Sequence, residues 1–89
     1  MSVTTKTKAR DAMLEMAKEW ENKKGKIQHA IEAYERVIGT DPESKEAERA
    51  RDALLEIAKR FEKEGKRYSA YYLYQKVAYG KEGLSKKAV

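Results

Sequence analysis

Apolar side chains recur along most of this chain at steps of three and four residues, the spacing of one face of an α-helix. The clearest case lies between Gly25 and Gly39, whereas strict alternation, as in a half-buried strand, does not fit. The repeating positions there are Ile27, Ala30, Ile31, Tyr34, Val37 and Ile38. The pattern predicts an amphipathic helix that begins after one glycine and ends at the next.

Residues with strong turn preferences follow this helix. Gly39 is expected to adopt the left-handed conformation that closes many helices. Asp41 is expected to cap the next helix, because its carboxylate can accept from orphan amides and Pro42 suits a first helical position. One helix is therefore predicted to end, and another to begin, within about four residues.

The same spacing predicts a first and a third helix. The first should begin at Thr4, Thr5 or Thr7, after frayed residues 1–5, and end near Asn22. Its predicted inner face consists of Ala9, Ala12, Met13, Met16, Ala17 and Trp20. The third should follow Pro42 and end near residues 64–65, with an inner face of Ala47, Ala50, Leu54, Ile57, Ala58 and Phe61.

A fourth helix is predicted from about Lys66 to Tyr79, followed by a basic tail over residues 81–89. Its predicted buried positions are Ala70, Tyr71, Tyr74, Val77 and Ala78. A second row of polar and aromatic residues lies on the opposite side and consists of Tyr68, Tyr72, Gln75 and Tyr79. Because a helix with two such faces normally has neighbours on both, the second row is predicted to dimerise or to dock another chain. Coverage by the tail through Leu84 and Val89, or a harmless exposed row, are the alternatives.

The chain contains an internal repeat. Residues 9–20 and 50–61 are nearly the same sequence at an offset of 41, and the second and fourth helices match at an offset of 40. The matched positions in the latter pair are Gly25 with Gly65, Ala30 with Ala70, Tyr34 with Tyr74, and Val37 with Val77. Because one helical hairpin cannot bury its own apolar stripes, two repeated hairpins are predicted to stack.

These residues carry a family resemblance: each unit resembles a tetratricopeptide repeat. The resemblance rests on the first-helix positions Met13, Met16, Ala17 and Trp20, on their equivalents Leu54, Ile57, Ala58 and Phe61, on the turn glycines, and on Pro42 at the exit. It implies an all-α fold of two stacked antiparallel helical hairpins, forming a right-handed α-solenoid of four helices. The longer first helix is similar to repeats of bacterial envelope-assembly lipoproteins, although no lipobox cysteine is present and Gly80 replaces the second exit proline.

Length and composition fit one small helical domain over residues 1–89. Its first repeat is expected at about 6–40 and its second at about 41–80. Of its 89 residues 40% are hydrophobic and 39% charged, a balance that suits helices burying one face each. The chain has no cysteine, no apolar run of membrane-spanning length and no signal-peptide pattern, so a cytoplasmic protein is expected.

The formal net charge of +5 raises nucleic-acid or anionic-surface binding as an alternative function. The excess is spread thinly, since residues 1–40 carry eight Lys and Arg against six Asp and Glu, and residues 41–89 carry twelve against nine. The densest basic segments, 23–26 and 81–87, contain no aromatic stacking pair and no recognition helix. The sequence therefore favours soluble turns over nucleic-acid contact.

Catalysis has little support in the sequence. The single histidine, His29, falls on the predicted solvent side of its helix without a positioned acid or base partner. No metal-binding, phosphate-binding or nucleophile motif is present. No enzyme activity, cofactor or metal is expected.

A partner groove is the preferred functional hypothesis. Residues just off the buried stripe recur in both repeats: Asp11, Leu14 and Lys18 in the first, and Asp52, Leu55 and Lys59 in the second. The resemblance implies that these positions line a concave surface where peptides or partner helices bind, so a non-enzymatic protein-binding scaffold is expected. The alternative is that the two leucines complete the packing between helices. The family's carboxylate clamp for acidic chain ends is not matched.

Overall fold

The computed structural model describes residues 2–79, with side chains from residue 5 onward. This part of the chain forms four α-helices and no strand. They are α1 (Ser2–Glu21), α2 (Ile27–Thr40), α3 (Lys45–Lys63) and α4 (Arg67–Ala78). The all-α prediction is confirmed, while the predicted basic tail and its residues Leu84 and Val89 lie outside the described residues.

The chain divides into two compact units, the first extending to Ala50 and the second beginning at Arg51. The division falls within α3. In the first unit α1 and α2 pack against each other across a short turn, and in the second a side-chain hydrogen bond joins α3 to α4. The predicted repeat boundary after residue 40 and the stacking of the repeats stay predictions.

Helix α1 begins earlier than its sequence indicates. Residues 2–5 are helical, so the prediction of a frayed start and a threonine cap at residues 4–7 is wrong. No glycine or proline interrupts the chain before Gly25, and the weak preference of threonine against helix is too small to stop it.

The two hairpin turns are built alike. Gly25 and Gly65 adopt positive φ angles of 79° and 81°, a region that costs a residue with a Cβ about 1–2 kcal/mol. After each glycine the next helix starts in the same way. Ala30 N donates to the carbonyl of Lys26 and Ala70 N to that of Lys66, both at 3.1 Å. The repeat in sequence is therefore a repeat in turn geometry.

The junction between α2 and α3 differs from its prediction. Gly39 lies inside α2 without a positive φ, and Asp41 follows the helix in an extended conformation, with φ at −161°. The cap of α3 is Ser44, whose Oγ accepts from Ala47 N at 3.0 Å. Because a residue before proline is driven toward extended backbone, Asp41 terminates α2, and Ser44 is free to cap the next helix.

The core of the first unit is dominated by α2. Its buried residues are Ala30, Ile31, Ala33, Tyr34, Val37 and Ile38, in agreement with the predicted stripe except that Ala33 was not predicted and Ile27 is half-buried. On α1, among the side chains described from residue 5 onward, only Leu14 and Ala17 are buried. The predicted inner face of α1 is thus partly wrong: Met13 and Trp20 are half-buried, and Ala9, Ala12 and Met16 are exposed. The apolar arc of α1 is wider than one stripe, and Leu14 occupies the buried edge of it.

The inner face of α3 agrees with its prediction. Ala47, Ala50, Leu54, Ile57 and Ala58 are all fully buried. Phe61 is half-buried, with Lys66 Nζ 5.7 Å from the centroid of its ring. The side chains of α3 therefore present one continuous apolar face over most of the helix.

Helix α4 buries a narrower stripe than predicted. Ala70 and Leu73 are buried, although Leu73 was not among the predicted positions. Tyr71 is 62% exposed and Ala78 is exposed, so their predicted burial is wrong, while Tyr74 and Val77 are half-buried. Leu73 lies between Ala70 and Val77 on the helix surface, which moves the centre of the buried arc away from Tyr71.

Candidate partner-binding surfaces

The predicted groove residues differ in their exposure. In the first repeat Asp11 and Lys18 are exposed, but Leu14 is only 3% exposed and offers no surface to a partner. The packing alternative therefore applies to this leucine. A groove on α1 would have to use the two charged side chains.

In the second repeat the same positions remain more accessible. Asp52 and Lys59 are exposed and Leu55 is half-buried. Lys59 Nζ lies 3.7 Å from a carboxylate oxygen of Glu56, and both side chains are more than 60% exposed. Such an exposed pair contributes little to stability, so it would yield readily to a bound partner.

The second row of α4 is exposed mainly at its start. Tyr68 is 92% exposed and Tyr72 is 42% exposed, whereas Gln75 and Tyr79 are half-buried. Lys76 Nζ lies 5.7 Å from the centroid of the Tyr72 ring, within range of a cation–π contact. The accessible part of this row is therefore its amino-terminal half.

A tyrosine–glutamate hydrogen bond joins the two helices of each hairpin. Tyr34 Oη donates to Glu21 Oε1 and Tyr74 Oη donates to Glu62 Oε1, both at 2.7 Å. The two pairs occupy equivalent repeat positions. Sequence reasoning predicted the tyrosines but missed the carboxylates, whose signal is a glutamate directly after the aromatic residue that ends each first helix.

The surroundings of the two hydrogen bonds differ. Tyr34 is 1% exposed, while Tyr74 is half-buried. The hydrogen bond to the Glu62 carboxylate raises the pKa of Tyr74 above its ordinary value of 10.0, because ionisation would remove the donated proton and place two negative charges together. The same contact thus serves as a core element in one repeat and as part of an open surface in the other.

An apolar cleft of about 420 Å³ opens between α1 and α2. Ala9, Met13 and Val37 supply its apolar side chains. Its polar lining consists of Lys6, Arg10, Arg36 and Thr40. Arg10 is engaged elsewhere, since its Nε donates to Glu46 Oε1 at 3.0 Å with both side chains nearly buried. That hydrogen bond, with the Glu46 backbone amide, lowers the pKa of the Glu46 carboxyl.

A larger cleft of about 840 Å³ lies between α3 and α4. Its charged lining comes from Lys59, Glu62 and Lys63 on α3 and from Arg67 on α4. Ala70, Tyr71 and Tyr74 complete it. Sequence reasoning missed this site, because its cations lie on two helices and are never adjacent in the chain.

Residues 2–79 contain no cluster of three or more potential metal ligands. His29 is exposed, and its ring centroid lies 5.6 Å from that of Trp20. Within the same residues no helix has the length and apolar character needed to cross a bilayer.

Comparisons with protein-family models, with curated proteins and with solved structures find no match to this chain.

Proposed function

We propose that this chain is a non-enzymatic protein-binding scaffold of the tetratricopeptide-repeat type. Its two hairpins would stack as a short α-solenoid, and a peptide or partner helix would bind along the first helix of each repeat. The proposal rests on the residues of the sequence repeat and on the equivalent construction of the two hairpins.

The observation that carries the proposal is the recurrence of exposed charges at equivalent repeat positions. Asp11 and Lys18 on α1 correspond to Asp52 and Lys59 on α3, and all four side chains are exposed. The charges recur as part of the sequence repeat, and their exposure leaves them available to a partner. In each repeat two helical turns, about 10 Å, separate a negative and a positive group that a bound segment would contact.

Leu55 would add an apolar contact in the second repeat. It is half-buried and lies between Asp52 and Lys59 in sequence. The groove on α3 would therefore contribute more to binding than the groove on α1, since Leu14 on α1 is already buried. The proposed ligand is a segment with one apolar side chain flanked by charges of both signs.

Selection of displayed peptides on the whole chain, followed by calorimetry of the selected peptides, tests this function. Exchanging the charges of the α3 groove with Asp52→Lys and Lys59→Glu leaves the net charge unchanged and should weaken binding at least tenfold. The matched control exchanges the exposed pair on α2 with Glu32→Arg and Arg36→Glu and should bind normally. Selection of no peptide, or equal binding by both variants, would contradict the proposal.

A further inference from the structure

The α3–α4 cleft contains residues that set the second repeat apart from the first. Three of its lining positions change from uncharged residues in the first repeat to cationic or aromatic polar residues in the second. The equivalent pairs are Asn22 and Lys63, Ile27 and Arg67, and Ile31 and Tyr71. Apart from these changes the hairpins share their turn glycine, their buried alanine and their interhelical hydrogen bond.

These changes turn a buried apolar seam into an open surface. Ile31 is 3% exposed in the first repeat, whereas Tyr71 is 62% exposed in the second. Ile27 is half-buried, whereas Arg67 is exposed. The hairpin does not need either substitution for its own packing, because the first repeat forms the same turn with isoleucines.

The three cations of the cleft and Tyr71 lie in two short rows, one on each helix. Lys59 and Lys63 are one helical turn apart on α3, and Arg67 and Tyr71 are one turn apart on α4, a rise of about 6 Å in each case. Both rows line the same cleft. The cleft therefore combines cations from both helices with one exposed aromatic ring, that of Tyr71.

Within the cleft lining little negative charge opposes Lys63 and Arg67, whereas Lys59 is paired with Glu56 at 3.7 Å. Glu62 is the one acidic residue among the described lining residues, and its carboxylate accepts a hydrogen bond from the Tyr74 hydroxyl, with 2.7 Å between the two oxygens. Within residues 2–79 neither Lys63 nor Arg67 takes part in an ion pair. Lys63 and Arg67 consequently present uncompensated positive charge in the same cleft as the exposed ring of Tyr71.

We propose that this cleft binds single-stranded nucleic acid. Lys59, Lys63 and Arg67 would contact successive phosphates, and a base would stack on the ring of Tyr71. Single strands suit such a site because their bases are free to leave the stack, and every base has a face that an aromatic ring can cover.

A second stacking position lies beside the first. Tyr68 is 92% exposed and precedes Tyr71 by three residues, so the two rings lie on neighbouring parts of the helix surface. An acidic peptide would satisfy the cations but has no general use for two exposed rings. The combination of cations and rings is what favours a polynucleotide.

Fluorescence anisotropy of a labelled short oligothymidylate, titrated with the full chain at several salt concentrations, tests the proposal. The double variant Lys63→Gln and Arg67→Gln should bind about tenfold more weakly. Its slope of log affinity against log salt should fall by about 1.4, since each phosphate contact to a single strand contributes about 0.7. The control Lys23→Gln and Lys24→Gln removes the same charge from the first turn and should change affinity by less than about threefold.

Stacking is tested separately at Tyr71. Replacing it with Ala should weaken binding by roughly tenfold, the loss expected for one stacked base, while Tyr71→Phe should restore binding because the ring is kept. Circular dichroism should show the helix content of every variant unchanged, since the substituted side chains are exposed.

Several results would overturn the proposal. They are absence of binding at low salt, equal loss in the cleft pair and the control pair, wild-type affinity of Tyr71→Ala, and displacement of the oligothymidylate by oligoglutamate as readily as by unlabelled oligothymidylate. The last result would make the cleft a site for acidic peptides instead.

Discussion

An ion pair joins Arg10 on α1 to Glu46 in the first turn of α3. The two side chains are 13% and 12% exposed, and the distance is 3.0 Å. Glu46 also lies where the positive end of a helix dipole favours a carboxylate. Unlike the exposed pairs Lys59–Glu56 and Lys66–Glu64, this one is shielded enough from solvent to matter for stability.

The contribution of Glu46 should depend on pH with a definite sign. Its pKa is lowered from an ordinary value of 4.5 by the Arg10 hydrogen bond. The folded state therefore favours the ionised form, so the stabilisation is present above about pH 4.5 and is lost as the pH falls through the lower folded pKa. The Glu46→Gln variant should unfold at a lower denaturant concentration than wild type at neutral pH, with the difference vanishing in acid.

Glu48→Gln is the control, because Glu48 lies in the same helical turn but is exposed. It should change the denaturation midpoint less than Glu46→Gln at neutral pH. Two outcomes would show that Arg10 does not stabilise the charged carboxylate. They are equal denaturation midpoints of the two variants at neutral pH, and a lowered midpoint of Glu46→Gln that persists in acid.

At the scale of the helices, two glycines near helix ends, Gly25 and Gly39, differ in backbone conformation. Gly25 has a positive φ of 79° and closes the first turn, whereas Gly39 is helical, and a Cβ built on it would meet no atom within 4 Å. A glycine in a helix loses more conformational entropy on folding than an alanine does. The two positions should therefore respond to the same substitution in opposite directions.

Gly39→Ala should stabilise the protein by roughly 0.5–1 kcal/mol, because the unfolded chain loses freedom and the helix loses nothing. Gly25→Ala should destabilise it by about 1 kcal/mol, because alanine resists the left-handed region. Urea unfolding of both variants measures the difference. A stabilising effect of Gly25→Ala would contradict the positive φ at residue 25. A destabilising effect of Gly39→Ala would contradict the helical conformation at residue 39.

The periodicity of the sequence predicts α2 and α3 well, because each has one apolar stripe and a polar remainder. It predicts α1 and α4 less well, because their apolar residues extend around more than one stripe. Which edge of the apolar arc is buried then depends on the neighbouring helices. Leu14 occupies the buried edge on α1, and Leu73 occupies it on α4. The cap of α3 was mispredicted because Asp41 and Ser44 are both good capping residues, and only the backbone direction set by Pro42 decides between them.

The candidate sites were predictable only in part for the same reason. The exposed Asp52 and Lys59 follow from helical spacing, which is a local property. The α3–α4 cleft brings Lys63 and Arg67 together with Tyr71 across a turn, a relation that depends on how two helices pack and that no single-helix pattern contains.

At the scale of the whole chain, the two hairpins share a framework but not a surface. The first hairpin buries Tyr34, Ile31 and Ile38 on α2, whereas the second leaves three tyrosines of α4 exposed. Under the proposed scaffold function, the different surfaces of the two repeats would bind separate partners. Self-association through the second row of α4 would be one such contact.

We propose that the exposed start of this row, Tyr68 and Tyr72, contributes to a homodimer. Sedimentation should then give a mass that rises with concentration, and the variant Tyr68→Glu with Tyr72→Glu should remain monomeric. Gln28→Glu, at the equivalent exposed position of the first repeat, is the control and should associate as wild type does. A wild-type mass that stays monomeric at all concentrations would rule out the dimer.

The repeated hairpin itself is tested most directly by double-mutant cycles on its two interhelical hydrogen bonds. The cycles combine Tyr34→Phe with Glu21→Gln, and Tyr74→Phe with Glu62→Gln, and measure unfolding free energies. Both pairs should show favourable coupling, about 1 kcal/mol for the buried Tyr34 pair and less for the more exposed one. Tyr34→Phe with Glu19→Gln should show none. Absence of coupling in either hydrogen-bonded pair would contradict a hairpin built twice on the same plan.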